Sequence, residues 1–76
     1  IIINAGAYTH TSVALHDCLE IIDIPKIEVH LSSVDNREDY RKINFIRDVC
    51  DACYKEKKEE SYLEAVHHLK KSLNVI

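Results

Sequence analysis

Three consecutive isoleucines, Ile1-Ile2-Ile3, open the chain as an apolar, β-branched run with no polar side. Such a run suits a central parallel strand covered by helices on both faces. Asn4 to Thr11 follows as a connection that holds the single glycine, Gly6. The period then changes. Val13, Leu15, Cys18, Leu19 and Ile22 recur at roughly helical spacing, with Thr11 or Ser12 in front of them as a cap. Pro25 biases Ile24 toward extended backbone, so this helix is expected to end before it. Lys26 to His30 reads as a second strand, with Ile27 and Val29 apolar. Strand, helix and strand over about 30 residues predict a βαβ unit, with parallel strands and a right-handed crossover.

Downstream the pattern weakens. Ser32 to Asn36 is a polar loop, and Asp35 or Asn36 is placed to cap a short helix through Arg37, Glu38, Asp39, Tyr40 and Arg41. Ile46, Val49, Cys50, Cys53 and Tyr54 form one helical stripe, and Tyr62, Ala65, Val66, Leu69 and Leu73 a better-ordered second one. Ser61 and Glu64 have the spacing of a capping box for that second helix. The charged run Lys55 to Glu60 lies between the stripes, so the segment reads either as one long helix or as two helices with a break.

The chain has 76 residues, 46% of them hydrophobic and 30% charged, which bounds it to at most one small domain. No apolar run approaches the ~20 residues of a membrane span. A net charge of -3 gives no electrostatic reason to bind nucleic acid. There is no methionine, and the chain starts in what looks like the middle of a buried strand. The expectation is therefore a piece of a longer domain. Three cysteines without a signal-peptide pattern fit a reducing cytoplasm.

Chemistry is expected at the carboxyl ends of the strands, where open α/β sheets bind ligands. Asn4 and His30 stand at those two ends, and His10 lies in the loop after the first strand. Alternation puts Glu28 on the same face as His30. A carboxylate beside an imidazole fixes its tautomer and suits it to general acid work. Arg37 and Arg41, one helical turn apart, point either at one anion or at Glu38 and Asp39 as a solvated face. A strand-end histidine such as His30 is also commonly only solvated or structural, and His67-His68 read as the polar edge of the last helix. Cys50-Asp51-Ala52-Cys53 has CxxC spacing but no second ligand pair, so both cysteines are read as small buried hydrophobes on the first stripe. No metal site is expected.

Three blocks carry a family resemblance. Ile1-Ile2-Ile3-Asn4-Ala5-Gly6-Ala7-Tyr8-Thr9-His10-Thr11-Ser12-Val13-Ala14-Leu15, then Ile27-Glu28-Val29-His30-Leu31-Ser32, then Arg37-Glu38-Asp39-Tyr40-Arg41 resemble, in order and spacing, the type II 3-dehydroquinate dehydratases. Ala5 stands where proline is usual, Ser33 where asparagine is usual, and Ile43-Asn44-Phe45 where the family has His-Ser-Tyr. Tyr62-Leu63-Glu64-Ala65-Val66 resembles the start of the family's final helix.

The resemblance implies an α/β, flavodoxin-like, doubly wound parallel sheet. Here it would be the C-terminal part of one domain, residues 1–76, with a weak or absent last strand. It implies a cytoplasmic lyase of the shikimate pathway that converts 3-dehydroquinate to 3-dehydroshikimate without cofactor or metal, assembled as a dodecamer of trimers. By resemblance His30 is the proton donor and Glu28 its supporting carboxylate. Asn4, His10, Asp17, Leu31, Ser32 and Arg41 are substrate-binding, with Asp17 reaching a neighbouring subunit's site. The family's N-terminal half, with the lid Arg and the Tyr base, has no counterpart in these residues. The family's glycine-containing turn after the last strand is replaced by Lys55-Glu56-Lys57-Lys58. The alternative expectation is a non-catalytic binding or assembly module of the same fold.

Overall fold

A computed structural model describes residues 1–31 and 43–73. Ser32, Arg41, the loop from Ser32 to Asn36 and the expected helix from Arg37 to Arg41 lie outside the described residues. The chain forms strand β1 (Ile2–Ile3), a 3-10 turn (Gly6–His10), helix α1 (Val13–Ile21) and strand β2 (Ile27–Val29). A second 3-10 turn (Arg47–Val49), strand β3 (Ala52–Tyr54) and helix α2 (Glu60–Leu73) follow. The three strands are parallel in the order β1-β2-β3. The expected βαβ unit is therefore present.

Register divides the sheet into two faces. Ile27 pairs with Ile2 and Ala52, and Val29 with Tyr54. Side chains alternate along a strand, so these apolar residues share one face. α2 covers that face: Ala65 is fully buried with Ile27 and Val29, and Ile2, Ala52, Tyr54 and Leu69 pack around them. An alanine at the contact lets the helix axis approach the sheet closely. Ile3, Glu28 and Cys53, paired with one another by register, share the opposite face. There α1 packs against the second 3-10 turn.

α1 begins where Ser12, not Thr11, caps it: the Ser12 hydroxyl accepts from the Leu15 N–H at 2.9 Å. It ends at Ile21, four residues before Pro25, because Lys26 folds back on its last turn. The Lys26 ammonium donates to the carbonyls of Leu19 at 2.8 Å and Ile22 at 2.6 Å, supplying partners and a positive charge to the C-terminal end. The helix buries a narrower strip than its pattern suggested. Leu19 is buried and Leu15 and Ile22 half-buried, whereas Val13 and Cys18 are exposed.

The first helical stripe is overturned. Only Arg47–Val49 turns, as a single 3-10 turn, and the backbone becomes extended at Cys50 (ψ 149°). The reason is pairing at the strand entrance. The Asp51 N–H donates to the Lys26 carbonyl at 2.7 Å, and the Asp51 carboxylate accepts from the Lys26 N–H at 2.8 Å. Those bonds set β3 against β2, and sheet pairing overrides a local helical period. The last strand is short but paired along all three of its residues. Cys50 and Cys53 are half-buried, not fully buried.

The capping box is overturned as well. α2 starts at Glu60, so Ser61 is inside its first turn, where its hydroxyl accepts from the Lys57 N–H at 3.3 Å. Glu64 instead pairs with the Lys57 ammonium at 2.6 Å. The chain enters α2 through a turn in which Glu56 (φ 74°) and Lys58 (φ 51°) both adopt left-handed backbone. The Lys58 N–H is anchored to the Leu31 carbonyl at 2.9 Å.

Candidate functional site

β2 builds the centre of the site. Val29 points into the α2 face, so its neighbours Glu28 and His30 point to the other, and both are almost wholly buried. His30 Nε2 and Glu28 Oε2 are 2.5 Å apart. An ionised carboxylate only accepts, so Nε2 carries the proton and Nδ1 is the nitrogen that Glu28 does not engage.

Two residues from the segment before β3 converge on the same carboxylate. The Asn44 amide donates to Glu28 Oε2 at 2.5 Å, and Arg47 Nε lies 3.4 Å from Oε1. Asn44 is itself held, because its Oδ1 accepts from the N–H groups of Ile46 and Arg47, both at 2.9 Å. Burial by itself raises the Glu28 carboxyl. The hydrogen bonds from His30 and Asn44, with the charges beside it, outweigh burial and hold it at about 2. Glu28 is thus a buried anion at neutral pH.

Cys53 completes this face. Arg47 Nη2 lies 3.6 Å from its sulfur. Burial, reinforced by the Glu28 charge, pushes the Cys53 thiol up to about 11, and burial does the same to Cys50. Both thiols are protonated at neutral pH and are poor nucleophiles. Glu28, His30 and Cys53 nevertheless place a carboxylate oxygen, an imidazole nitrogen and a sulfur within 4.8 Å of one another.

The other expected site residues are distributed around this pair. Asn4, exposed just past β1, accepts from the Gly6 N–H at 3.1 Å and donates to the Tyr62 hydroxyl at 3.0 Å. Gly6 makes that turn at φ 59°, a backbone state open to glycine at little cost. His10 is buried at the end of the first 3-10 turn, and its Nδ1 donates to the Ile43 carbonyl at 2.7 Å. The Phe45 N–H donates to the Thr9 carbonyl at 2.9 Å, so this turn is docked on the segment that supplies Asn44 and Arg47. Leu31 is exposed at the exit of β2. Asp17 is exposed on α1, held by His16 Nδ1 at 3.1 Å, and shares an open groove of about 480 Å³ with Asn44 and Arg47.

Asn44, Arg47 and Cys53 were not anticipated at this site. A polar Asn44 between Ile43 and Phe45 was the one available signal. Cys53 was read as part of the helical stripe that β3 overturns, and Arg47, in the same segment, was given no role. His67 is exposed, as expected, but His68 is half-buried, with its Nδ1 hydrogen-bonded to the Tyr54 hydroxyl at 2.8 Å.

The family model described as dehydroquinase class II matches residues 1–70. A 3-dehydroquinate dehydratase of Thermotoga petrophila is 41% identical over 73 residues, covering 96% of this chain and 51% of that protein. The corresponding protein of Rhizobium johnstonii is 48% identical over 68 residues, covering 90% and 47%. Among solved structures, the type II dehydroquinase of Butyrivibrio crossotus superposes with a TM-score of 0.88 at 41% identity, over 92% of this chain and 49% of that one. The type II dehydroquinase of Propionibacterium acnes gives 0.87 at 27% identity, over 92% and 52%. The chain spans about half the length of the curated relatives it matches. Motif order, sheet topology and these matches agree, and the chain belongs to the class II dehydroquinase family.

Proposed function

We propose that these residues serve a dehydratase that converts 3-dehydroquinate to 3-dehydroshikimate and water, with His30 as the proton donor to the departing hydroxyl. The observation that carries this reading is the buried His30–Glu28 pair at the carboxyl end of β2. An anionic Glu28 accepts from Nε2–H and fixes the tautomer and orientation of the ring that gives its proton to the developing hydroxide. Asn44 and Arg47 keep Glu28 ionised and oriented, which fixes the ring in turn.

Around the pair, Asn4 and His10 are substrate-binding positions, and His10 presents the nitrogen that Ile43 does not engage. The backbone N–H groups of Leu31 and Ser32, with the Ser32 hydroxyl, take the substrate carboxylate, and Arg41 is a further substrate-binding position. Asp17, exposed on α1, is suited to reach the site of a neighbouring copy in a dodecamer of trimers. The reaction needs a base to remove the proton alpha to the ketone. That base is assigned to none of the residues of this chain, and the enolate step is left to the remainder of the fold that the longer relatives contain. The protein is expected to act in the cytoplasm, without cofactor. No helix of the described residues is long and apolar enough to cross a membrane.

The test is turnover of 3-dehydroquinate, read as the absorbance of the conjugated enone, by the polypeptide that carries residues 1–76. His30→Ala is expected to abolish it, and His30→Ala with unchanged turnover overturns the acid assignment. A wild-type polypeptide that binds 3-dehydroquinate but never yields the enone would favour the non-catalytic module.

A further inference from the structure

We propose that Glu28, His30 and Cys53 form a binding site for a borderline-soft divalent ion of the zinc type, and that the bound ion silences the His30–Glu28 pair. The donors come from two adjacent strands on the sheet face opposite α2. Register sets Cys53 beside Glu28, and alternation sets His30 on the same side. Their ligand atoms lie within 4.8 Å of one another, and Glu28 and His30 are buried.

Zinc bonds of about 2.0–2.3 Å place neighbouring donors of a tetrahedral site roughly 3.3–3.7 Å apart. The His30–Glu28 distance of 2.5 Å therefore has to open by about 1 Å, while the sulfur lies within 4.8 Å of both other ligand atoms. A sulfur, an imidazole nitrogen and a carboxylate oxygen suit Zn²⁺, and they do not suit Mg²⁺ or Ca²⁺, which take oxygen donors. Water fills the fourth position.

The donor cluster already lies against positive charge. The Arg47 guanidinium spans two of the same donors, 3.4 Å from Glu28 Oε1 and 3.6 Å from Cys53 Sγ. Its side chain is 39% exposed, so it has a path outward when an ion arrives. Arg47 is thus a competitor for the site. Asn44, fixed by two backbone N–H groups, holds the carboxylate in place from behind.

The binding step is proton-balanced. The Cys53 S–H bond breaks, a sulfur–metal bond forms, and the thiol proton passes to solvent. On His30 the Nε2–H bond breaks and its proton passes to solvent, Nδ1 takes a proton from solvent when the ring starts neutral and keeps its own when the ring starts protonated, and the Nε2 lone pair goes to the ion. Glu28 is already anionic. The His30–Glu28 hydrogen bond is lost in the process, so a metal-bound site has no carboxylate-backed proton to deliver. The site stands on donor geometry and does not depend on the reaction proposed above.

Cobalt(II) is the probe, because it follows zinc chemistry and is coloured. Titration of the wild-type chain with Co²⁺ is expected to give a thiolate-to-cobalt charge-transfer band that saturates at one equivalent and is bleached by Zn²⁺. Cys53→Val, isosteric and suited to a strand, is expected to abolish the band and weaken Co²⁺ binding by about tenfold or more. His30→Asn, which leaves β3 untouched, is expected to do the same. Circular dichroism shows whether each variant keeps the α/β fold. Cys50→Ala and His16→Asn are expected to leave the band unchanged, and Arg47→Ala to tighten binding. A charge-transfer band that survives in folded Cys53→Val, or no such band in the wild type at millimolar Co²⁺, overturns the site.

Discussion

Glu56 and Lys58 show what a single backbone angle costs. Both lie in the left-handed region, at φ 74° and 51°. A residue with a Cβ is disfavoured there by about 1–2 kcal/mol, and glycine is not. The turn survives because its neighbours hold it: the Lys58 N–H bonds to the Leu31 carbonyl, and the Lys57 ammonium to Glu64. Lys58→Gly is expected to raise stability by about 0.5–1 kcal/mol, since glycine's greater freedom in the unfolded chain offsets part of the relief. Urea midpoints check it against Lys57→Gly, whose backbone is not left-handed and which should be destabilised. Thr9 presents a different residue-scale cost. Its hydroxyl is buried with no hydrogen-bond partner. Thr9→Val keeps the shape and removes the unpaired group, so it is expected to stabilise by about 1 kcal/mol; a lower urea midpoint would contradict this.

At the scale of elements, the legible parts were those in which local pattern and tertiary pairing agree. β1, α1 and β2 follow from Ile1-Ile2-Ile3, from Ser12 ahead of a 3.6-residue period, and from Ile27 and Val29 with Pro25 before them. β3 was illegible because Ile46 and Cys50 flank one 3-10 turn that ends at Val49, while Cys53 and Tyr54 sit on opposite faces of a strand. Together they counterfeit a helical stripe, and the Lys26–Asp51 bonds that settle the matter join residues 25 positions apart. The site divides in the same way. His30 and Glu28 are two apart on one strand and were visible by alternation. Asn44, Arg47 and Cys53 reach them only through folding of a later segment, which a linear pattern does not encode. Two element-scale predictions follow from the caps and the core. Ser12→Ala is expected to cost about 1 kcal/mol, whereas Thr11→Ala, whose hydroxyl points back to the Ala7 carbonyl, should change stability by less than about 0.5 kcal/mol. Ala65→Leu overfills the contact between α2 and the sheet and is expected to cost about 1–3 kcal/mol. Thermal or urea unfolding of the purified variants decides both.

Across the whole molecule, one buried charge connects most of the fold. Glu28 belongs to β2, His30 to its exit, and Asn44 and Arg47 to the segment that carries the chain into β3. That segment is docked in turn on the His10 turn through Ile43 and Phe45. Protonating Glu28 therefore loosens contacts from β1 to β3 at once. Its folded-state value of about 2 lies below the usual 4.5. The unfolded chain thus binds the proton first as pH falls, and stability from this group is fully present above about 4.5 and lost as pH falls through 4.5 toward 2. Asn44→Ala removes one of the bonds that hold the carboxyl down. Its folded-state value then rises toward the ordinary one, so the acid loss still begins near 4.5 but is complete at a higher pH and is smaller in total. At neutral pH the same variant should be less stable by about 1.5–3 kcal/mol, the range for a hydrogen bond to a charged group. Urea midpoints of wild type and Asn44→Ala between about pH 2 and pH 7 test both statements. The expected result is a lower plateau in the variant and a smaller fall below about pH 4.5, so that the two curves converge toward pH 2. Curves that stay parallel down to about pH 2 would mean that Asn44 does not control the ionisation of Glu28, and that the charge is held by His30 and Arg47 alone.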